Sequence, residues 1–228
     1  MSESLPLFPL GTVLYPGLLL PLHIFEERYR QLVRDLMNGP DPRQFGVIAI
    51  RKGRETGVDG VSALFEIGCT ATLRRVTEHD DGTFDLVTVG TRRFRLKSLD
   101  DPAPYLQGQV EYLADAYDAA GAGDSEDEAA DAVRAVQHAF GEYLGALAAR
   151  GAARRGVPDL PDDPLVLSYL VAASIVIDLP DQQALLAEPD ARHRLEAERR
   201  LLVRETAMLR TLTSMPAPDL RYSPSNPN

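Results

Sequence analysis

Residues 67–96, IGCTATLRRVTEHDDGTFDLVTVGTRRFRL, read as two long strands joined by a tight turn. Ile67 to Glu78 and Thr83 to Leu96 carry the β-branched and alternating apolar residues of half-buried strands. His79-Asp80-Asp81-Gly82 joins them, and its Asp-Gly step supplies the positive φ that a tight hairpin needs. In the second strand Phe84, Leu86, Val87 and Val89 lead to Gly90, whose missing side chain predicts a bulge or bend. Long strands that bend favour a closed or half-closed barrel over a flat sheet.

More strands surround the hairpin. On its N-terminal side, Leu5 to Leu14 is an extended segment in which prolines oppose helix, Tyr15-Pro16-Gly17 is a turn, and Leu18 to Phe25 returns as a strand. Tyr29, Leu32, Val33 and Leu36 have helical spacing from Glu26 until Asn38-Gly39-Pro40 stops them. Phe45 to Ile50 is a buried strand, followed by a Gly-rich charged loop, Arg51 to Gly60. After the Pro102-Ala103-Pro104 breaker, Tyr105 to Leu113 is the last strand.

Beyond it the character changes. Ala114 to Glu128, dominated by Ala, Gly, Asp and Glu, reads as a linker. Val133, Val136, Phe140, Tyr143, Leu144 and Leu147 form the stripe of an amphipathic helix, and Gly156 to Pro164 is a loop. Leu165 to Leu179 is apolar on nearly every face, which predicts a central buried helix ended by Pro180. A short helix around Ala184, Leu185 and Leu186 stops at Glu188-Pro189, and Asp190 caps a long helix through about Leu212. The expected organisation is α+β: a β-rich barrel subdomain over 1–115, a helical bundle subdomain over 116–213 and a disordered tail over 214–228.

The composition excludes several function classes. A formal net charge of -10 repels phosphate backbones and anionic headgroups, so nucleic acid is a poor first partner. The one basic patch of note, Arg92-Arg93-Phe94-Arg95, reads as the solvated face of a strand whose Phe94 and Leu96 point inward. No apolar run approaches the roughly 20 residues of a membrane span. The N-terminus lacks a basic n-region, and Pro6, Pro9 and Pro16 interrupt any signal-peptide core, so a cytoplasmic location is expected. A single cysteine, Cys69, rules out an internal disulfide. Four scattered histidines show no zinc-ligand spacing, and neither metal nor cofactor is expected.

Catalytic motifs are missing as well. The only lysines, Lys52 and Lys97, do not follow glycine, so no phosphate-cradling loop exists. Neither Gly-x-Ser-x-Gly nor His-Glu-x-x-His occurs. Lys97 and Ser98 are adjacent, but neighbouring residues of a strand point to opposite faces. Cys69 reads as a buried structural thiol, His23 as a partner for Glu26 or Glu27, and His79 and His193 as solvent-facing. No enzyme activity is expected.

Several segments, in this order, resemble the Lon protease N-terminal, substrate-binding domain family. They are Leu5-Pro6-Leu7-Phe8-Pro9-Leu10 with Tyr15-Pro16-Gly17, then Pro21-Leu22-His23-Ile24-Phe25-Glu26-Glu27-Arg28-Tyr29, Phe45-Gly46-Val47-Ile48, and Ile67-Gly68-Cys69-Thr70-Ala71. Leu86 to Phe94, Pro104-Tyr105 and the helices around Leu179-Pro180 continue the likeness to about Leu212. The resemblance implies a PUA-like β pseudo-barrel followed by a helical bundle, in a stand-alone form without ATPase or peptidase. It also implies a non-catalytic module of the ATP-dependent protease La family, which captures unfolded, misfolded or tagged polypeptides for proteolysis by a partner, with a protease or chaperone as a further partner. The expected surface is a groove or open sheet edge at the barrel–bundle junction, with Tyr15, Leu18, Tyr29 and Tyr112 as polypeptide-binding anchors. Two alternatives stay open: a PUA-like RNA-binding protein using Arg92, Arg93 and Arg95, and a small-molecule binder or cryptic hydrolase using the junction pocket.

Overall fold

A computed structural model describes residues 3–53, 61–100, 104–117, 126–150 and 159–212. The expected tail over 214–228, most of the loop Arg51 to Gly60, the middle of the linker and the start of the loop at Gly156 lie outside the described residues.

Six strands form one sheet: β1 (Glu3–Leu10), β2 (Leu19–Ile24), β3 (Gln44–Gly53), β4 (Val61–Glu78), β5 (Phe84–Leu99) and β6 (Gln107–Tyr112). The hairpin forms as its residues dictate. Gly82 adopts φ +76°, the His79 amide donates to the Thr83 carbonyl at 2.9 Å, and the Asp81 carboxylate accepts from the Thr83 amide and hydroxyl. β1 runs parallel to β3 and antiparallel to β6, β3 pairs with β4, β4 with β5, and β5 with β6. Those five strands therefore close a ring. β2 lies outside it, paired with the first half of β5 from Phe84 to Val89, while the second half of β5 pairs with β6.

Strand alternation sorts the apolar residues into two cores. Leu5 and Leu7, Ile48, Phe94 and Val110 come from four strands of the ring and meet inside it. Gly68 on β4 completes the circuit, since a Cβ there would stand 2.4 Å from the Phe94 ring and 2.6 Å from the Val47 carbonyl oxygen. Their neighbours Phe8, Val47 and Cys69 face outward into a second core with Phe45, Phe84 and Leu86. That core is closed by Tyr29, Leu32 and Val33 on α1 (Glu27–Asn38), whose spacing predicted this inner face.

Four more helices follow: α2 (Glu126–Ala149), α3 (Pro164–Ser174), α4 (Leu179–Ala187) and α5 (Ala191–Leu212). The expected continuous helix from Leu165 to Leu179 is a misreading. It stops at Ser174, Ile175 is extended, and Pro180 begins the next helix instead of ending this one. The physical reason is that proline lacks the amide that a first helical turn leaves unpaired anyway. Asp163 and Asp178 cap the two Pro-led turns, accepting from the amides of Val166 and Asp181 at 2.9 Å each. Asp190 caps α5 as expected, through the His193 amide. Val133, Val136, Phe140, Leu167, Val171, Leu195 and Leu202 build the helical core.

Candidate functional site

The barrel meets the helices where β5 changes partner. Cys69 stands opposite Arg93 and Ala71 opposite Gly90, so β5 carries one extra residue there, the bulge that Gly90 predicted. The loop from Leu14 to Leu18 crosses the bulge at close range: the Gly17 amide donates to the Gly90 carbonyl and the Gly90 amide to the Leu18 carbonyl, both at 2.8 Å. A Cβ on residue 90 would stand 2.2 Å from the Tyr15 carbonyl oxygen. Only glycine fits.

The bulge also turns Arg93 under the helices, which corrects the reading of Arg92-Arg93-Phe94-Arg95 as a solvated face. Phe94 does point inward, but Arg93 is only 1% exposed. Its five N–H donors all find protein acceptors. Nε donates to Asp115 at 2.6 Å, Nη1 to the Leu186 and Glu188 carbonyls, and Nη2 to the Ala114 and Pro189 carbonyls. Asp115 also accepts from the Tyr169 hydroxyl at 2.7 Å. Arg194 lies across the Tyr169 ring, 4.2 Å from its centroid, and donates to the Leu185 carbonyl and the Ser168 hydroxyl. Behind it Glu198 is fully buried, and among the described residues neither carboxylate oxygen has a hydrogen-bond partner. Burial pushes its carboxyl well above the ordinary carboxylate range, and Arg194 opposes that shift. One clasp thus joins β5, the segment after β6, and α3 to α5.

A groove of about 310 Å³ opens beside the clasp, lined by Pro16, Gly17, Leu18 and Thr91 from the barrel, by Leu165, Val166, Tyr169 and Leu170 from α3, and by Asp115. Most of this lining is apolar. Val166 is 53% exposed, and Leu19, next to Leu18 on β2, is 68% exposed. Among the described residues β2 is also the end strand of the sheet, paired only with β5.

Of the four expected anchors, only Leu18 lines this groove. Tyr15 is 2% exposed and its hydroxyl donates to the Gln182 carbonyl, while Tyr29 is 5% exposed and stacks on Phe8 at 4.1 Å. Both rings face the core, because the turn and α1 need a large apolar body there. Tyr112 is half-buried on β6 beneath the Arg92 guanidinium, 4.0 Å from its ring centroid, and takes no part in the groove. The sequence reading missed Val166. A helix apolar on nearly every face predicts burial all round, and the same pattern also fits a helix with one face left open, as at Val166.

The residues considered for chemistry do not form a nucleophilic site. Cys69 is buried, and burial raises its thiol pKa far above the ordinary range. His193 lies 2.7 Å from the capping Asp190. His23 pairs with Asp85, the residue directly across from it on β5, and not with Glu26 or Glu27. His79 reaches the other oxygen of the same carboxylate, so it does not merely face solvent. Among the described residues, no helix is long and apolar enough to cross a membrane.

A family model described as the ATP-dependent protease La (LON) substrate-binding domain matches residues 4–204. The chain is 26% identical over 212 residues to Lon protease 2 of Myxococcus xanthus, covering 92% of this chain and 24% of that protein. It is likewise 26% identical over 200 residues to the Lon protease of Escherichia coli K12, covering 85% of this chain and 24% of that protein. The chain therefore spans about a quarter of the length of these relatives. Among solved structures, a Lon N-terminal domain protein from Xanthomonas campestris aligns with a TM-score of 0.59 at 25% identity, covering 94% of this chain and 99% of that one. The N-terminal domain of a Mycobacterium avium complex Lon protease aligns with a TM-score of 0.62 at 17% identity, over 90% of this chain and 98% of that one, and shares the fold.

Proposed function

The chain belongs to the LON substrate-binding domain family, and from that premise we propose that it captures exposed apolar segments of unfolded polypeptides in the groove between the barrel and α3. The observation that carries the reading is the open, largely apolar lining at the junction, with Leu18 on one wall and Val166 on the other. An extended segment seated there passes Leu19 and the outer edge of β2, where main-chain hydrogen bonds add to side-chain burial. Pro21 on that strand lacks an amide donor, which limits uncontrolled strand addition. Captured segments are then passed to an ATP-dependent protease. The domain contributes recognition, and the family supplies no catalytic residue to this part of the chain.

RNA remains the competing reading, and the buried clasp weakens it, since Arg93 is committed to protein acceptors and only Arg92 and Arg95 of the patch are exposed. Isothermal titration with a reduced, unfolded test protein distinguishes the two. Binding heat is expected for the natural chain and is lost in Leu18→Glu and Val166→Glu, with their thermal midpoints retained. Unchanged binding in both variants, or heat only with RNA, overturns the proposal.

A further inference from the structure

We propose that His23, His79 and Asp85 form a surface site for a divalent transition metal of the zinc type, at the end of the sheet formed by β2 and the β4–β5 turn. His23 lies on β2 directly opposite Asp85 on β5, and His79 stands in the turn that leads into β5. His23 Nδ1 is 2.7 Å from Asp85 Oδ1, and His79 Nε2 is 2.8 Å from Asp85 Oδ2. One donor atom from each residue falls within 4.8 Å of the other two.

Two imidazoles and a carboxylate are the donor set that zinc takes in sites retaining an open position for water. At Zn–N distances of about 2.0–2.1 Å, two nitrogens of a tetrahedral site stand roughly 3.4 Å apart, so closure needs a shift of about 1.5 Å or less. The side chains can supply it, because all three are exposed. Their backbones are held. β2 and β5 are paired at His23 and Asp85, and the turn is fixed by the His79 amide on Thr83, the Gly82 amide on the His79 carbonyl and the Asp81 carboxylate on Thr83. The surrounding charges are mixed: Asp81 adds a negative charge near His79, while the Arg30 guanidinium lies over Gly82. The simpler account of the cluster is a carboxylate bridging two imidazoles with no ion. Metal titration separates the two.

The test uses the untagged chain with zinc chloride in isothermal titration, and cobalt(II) as a spectroscopic probe. Saturable 1:1 binding reversed by EDTA is expected, together with a visible cobalt spectrum of low-coordinate nitrogen and oxygen ligation. His23→Ala and His79→Ala should each weaken binding by at least about tenfold, since even partners behind the ligands have effects of that size. His193→Ala should leave it unchanged. Zinc should raise the thermal midpoint of the natural chain and not that of His79→Ala, which also shows that the variant folds. Absence of saturable binding, or affinity equal in the natural chain and in both ligand variants, overturns the site.

Discussion

Replacing Arg93 with methionine should cost about 4 kcal/mol of stability. Methionine keeps much of the buried stem but offers no donor, so the carbonyls of Ala114, Leu186, Glu188 and Pro189 each lose a bond and Asp115 keeps only the Tyr169 hydroxyl. Five lost bonds, counting the one to Asp115, at about 0.8 kcal/mol each give that figure. Breaking a buried ion pair from one side independently costs roughly 3–5 kcal/mol. Against a typical total of about 5–15 kcal/mol, the variant would be marginal. Arg93→Lys keeps the charge but has three donors on a flexible stem in place of a planar fork of five, so an intermediate loss of about 2 kcal/mol is expected. Arg92→Met is the control. Its guanidinium is exposed and stacks on Tyr112, a contact that contributes about 1 kcal/mol or less. Urea unfolding followed by far-ultraviolet circular dichroism gives all three values. Adding Asp115→Asn to Arg93→Met should cost less than the sum of the single changes, because no unpaired charge is left behind. If Arg93→Met falls within about 1 kcal/mol of Arg92→Met, the clasp is not what holds the helices to the barrel.

Gly90→Ala places a methyl against the Tyr15 carbonyl and should destabilise by at least about 2 kcal/mol, whereas Gly141→Ala, with open space on a helix, should stabilise by up to about 1 kcal/mol; equal effects by thermal melt would refute the bulge argument. For Glu198, burial raises the folded-state pKa above the unfolded one, so the folded chain binds the extra proton and stability falls as pH rises beyond the range where a free glutamate ionises. Glu198→Gln removes that loss, so its gain in melting temperature over the natural chain should be larger at pH 8 than at pH 5. A gain independent of pH would mean that the carboxyl is not held protonated by burial.

The strand order of the barrel could not be read in one pass along the chain, although most strands could. Asp81-Gly82 and Gly90 announced the turn and the bulge because their reasons are local: one position needs positive φ, and the other tolerates no Cβ. Arg93 was misread because nothing near it in sequence names its acceptors, which lie some twenty residues away at Ala114 and Asp115 and more than ninety away at Leu186 to Pro189. His23 and His79 looked scattered for the same reason, since cross-strand register brings them to one carboxylate. Pro180 was ambiguous because proline both follows one helix and leads another, and only Asp178 before it distinguishes the cases. Groove residues were legible where a turn exposed them, as at Leu18, and hidden where an apolar helix kept one face open, as at Val166.

The closure of the ring has a consequence for synthesis on the ribosome. β1 is made first, yet its partners are β3 and β6, the latter about a hundred residues later, with Glu3 opposite Val110 and Pro6 opposite Gln107. Until residue 112 has emerged, Leu5 and Leu7 have no completed interior to enter. At about 5–20 residues per second that interval lasts several seconds, far longer than a hairpin takes to form. The nascent β4–β5 hairpin can fold and wait, but the first strand must be kept from non-native pairing, a task for which Pro6 and Pro9 within β1 are suited.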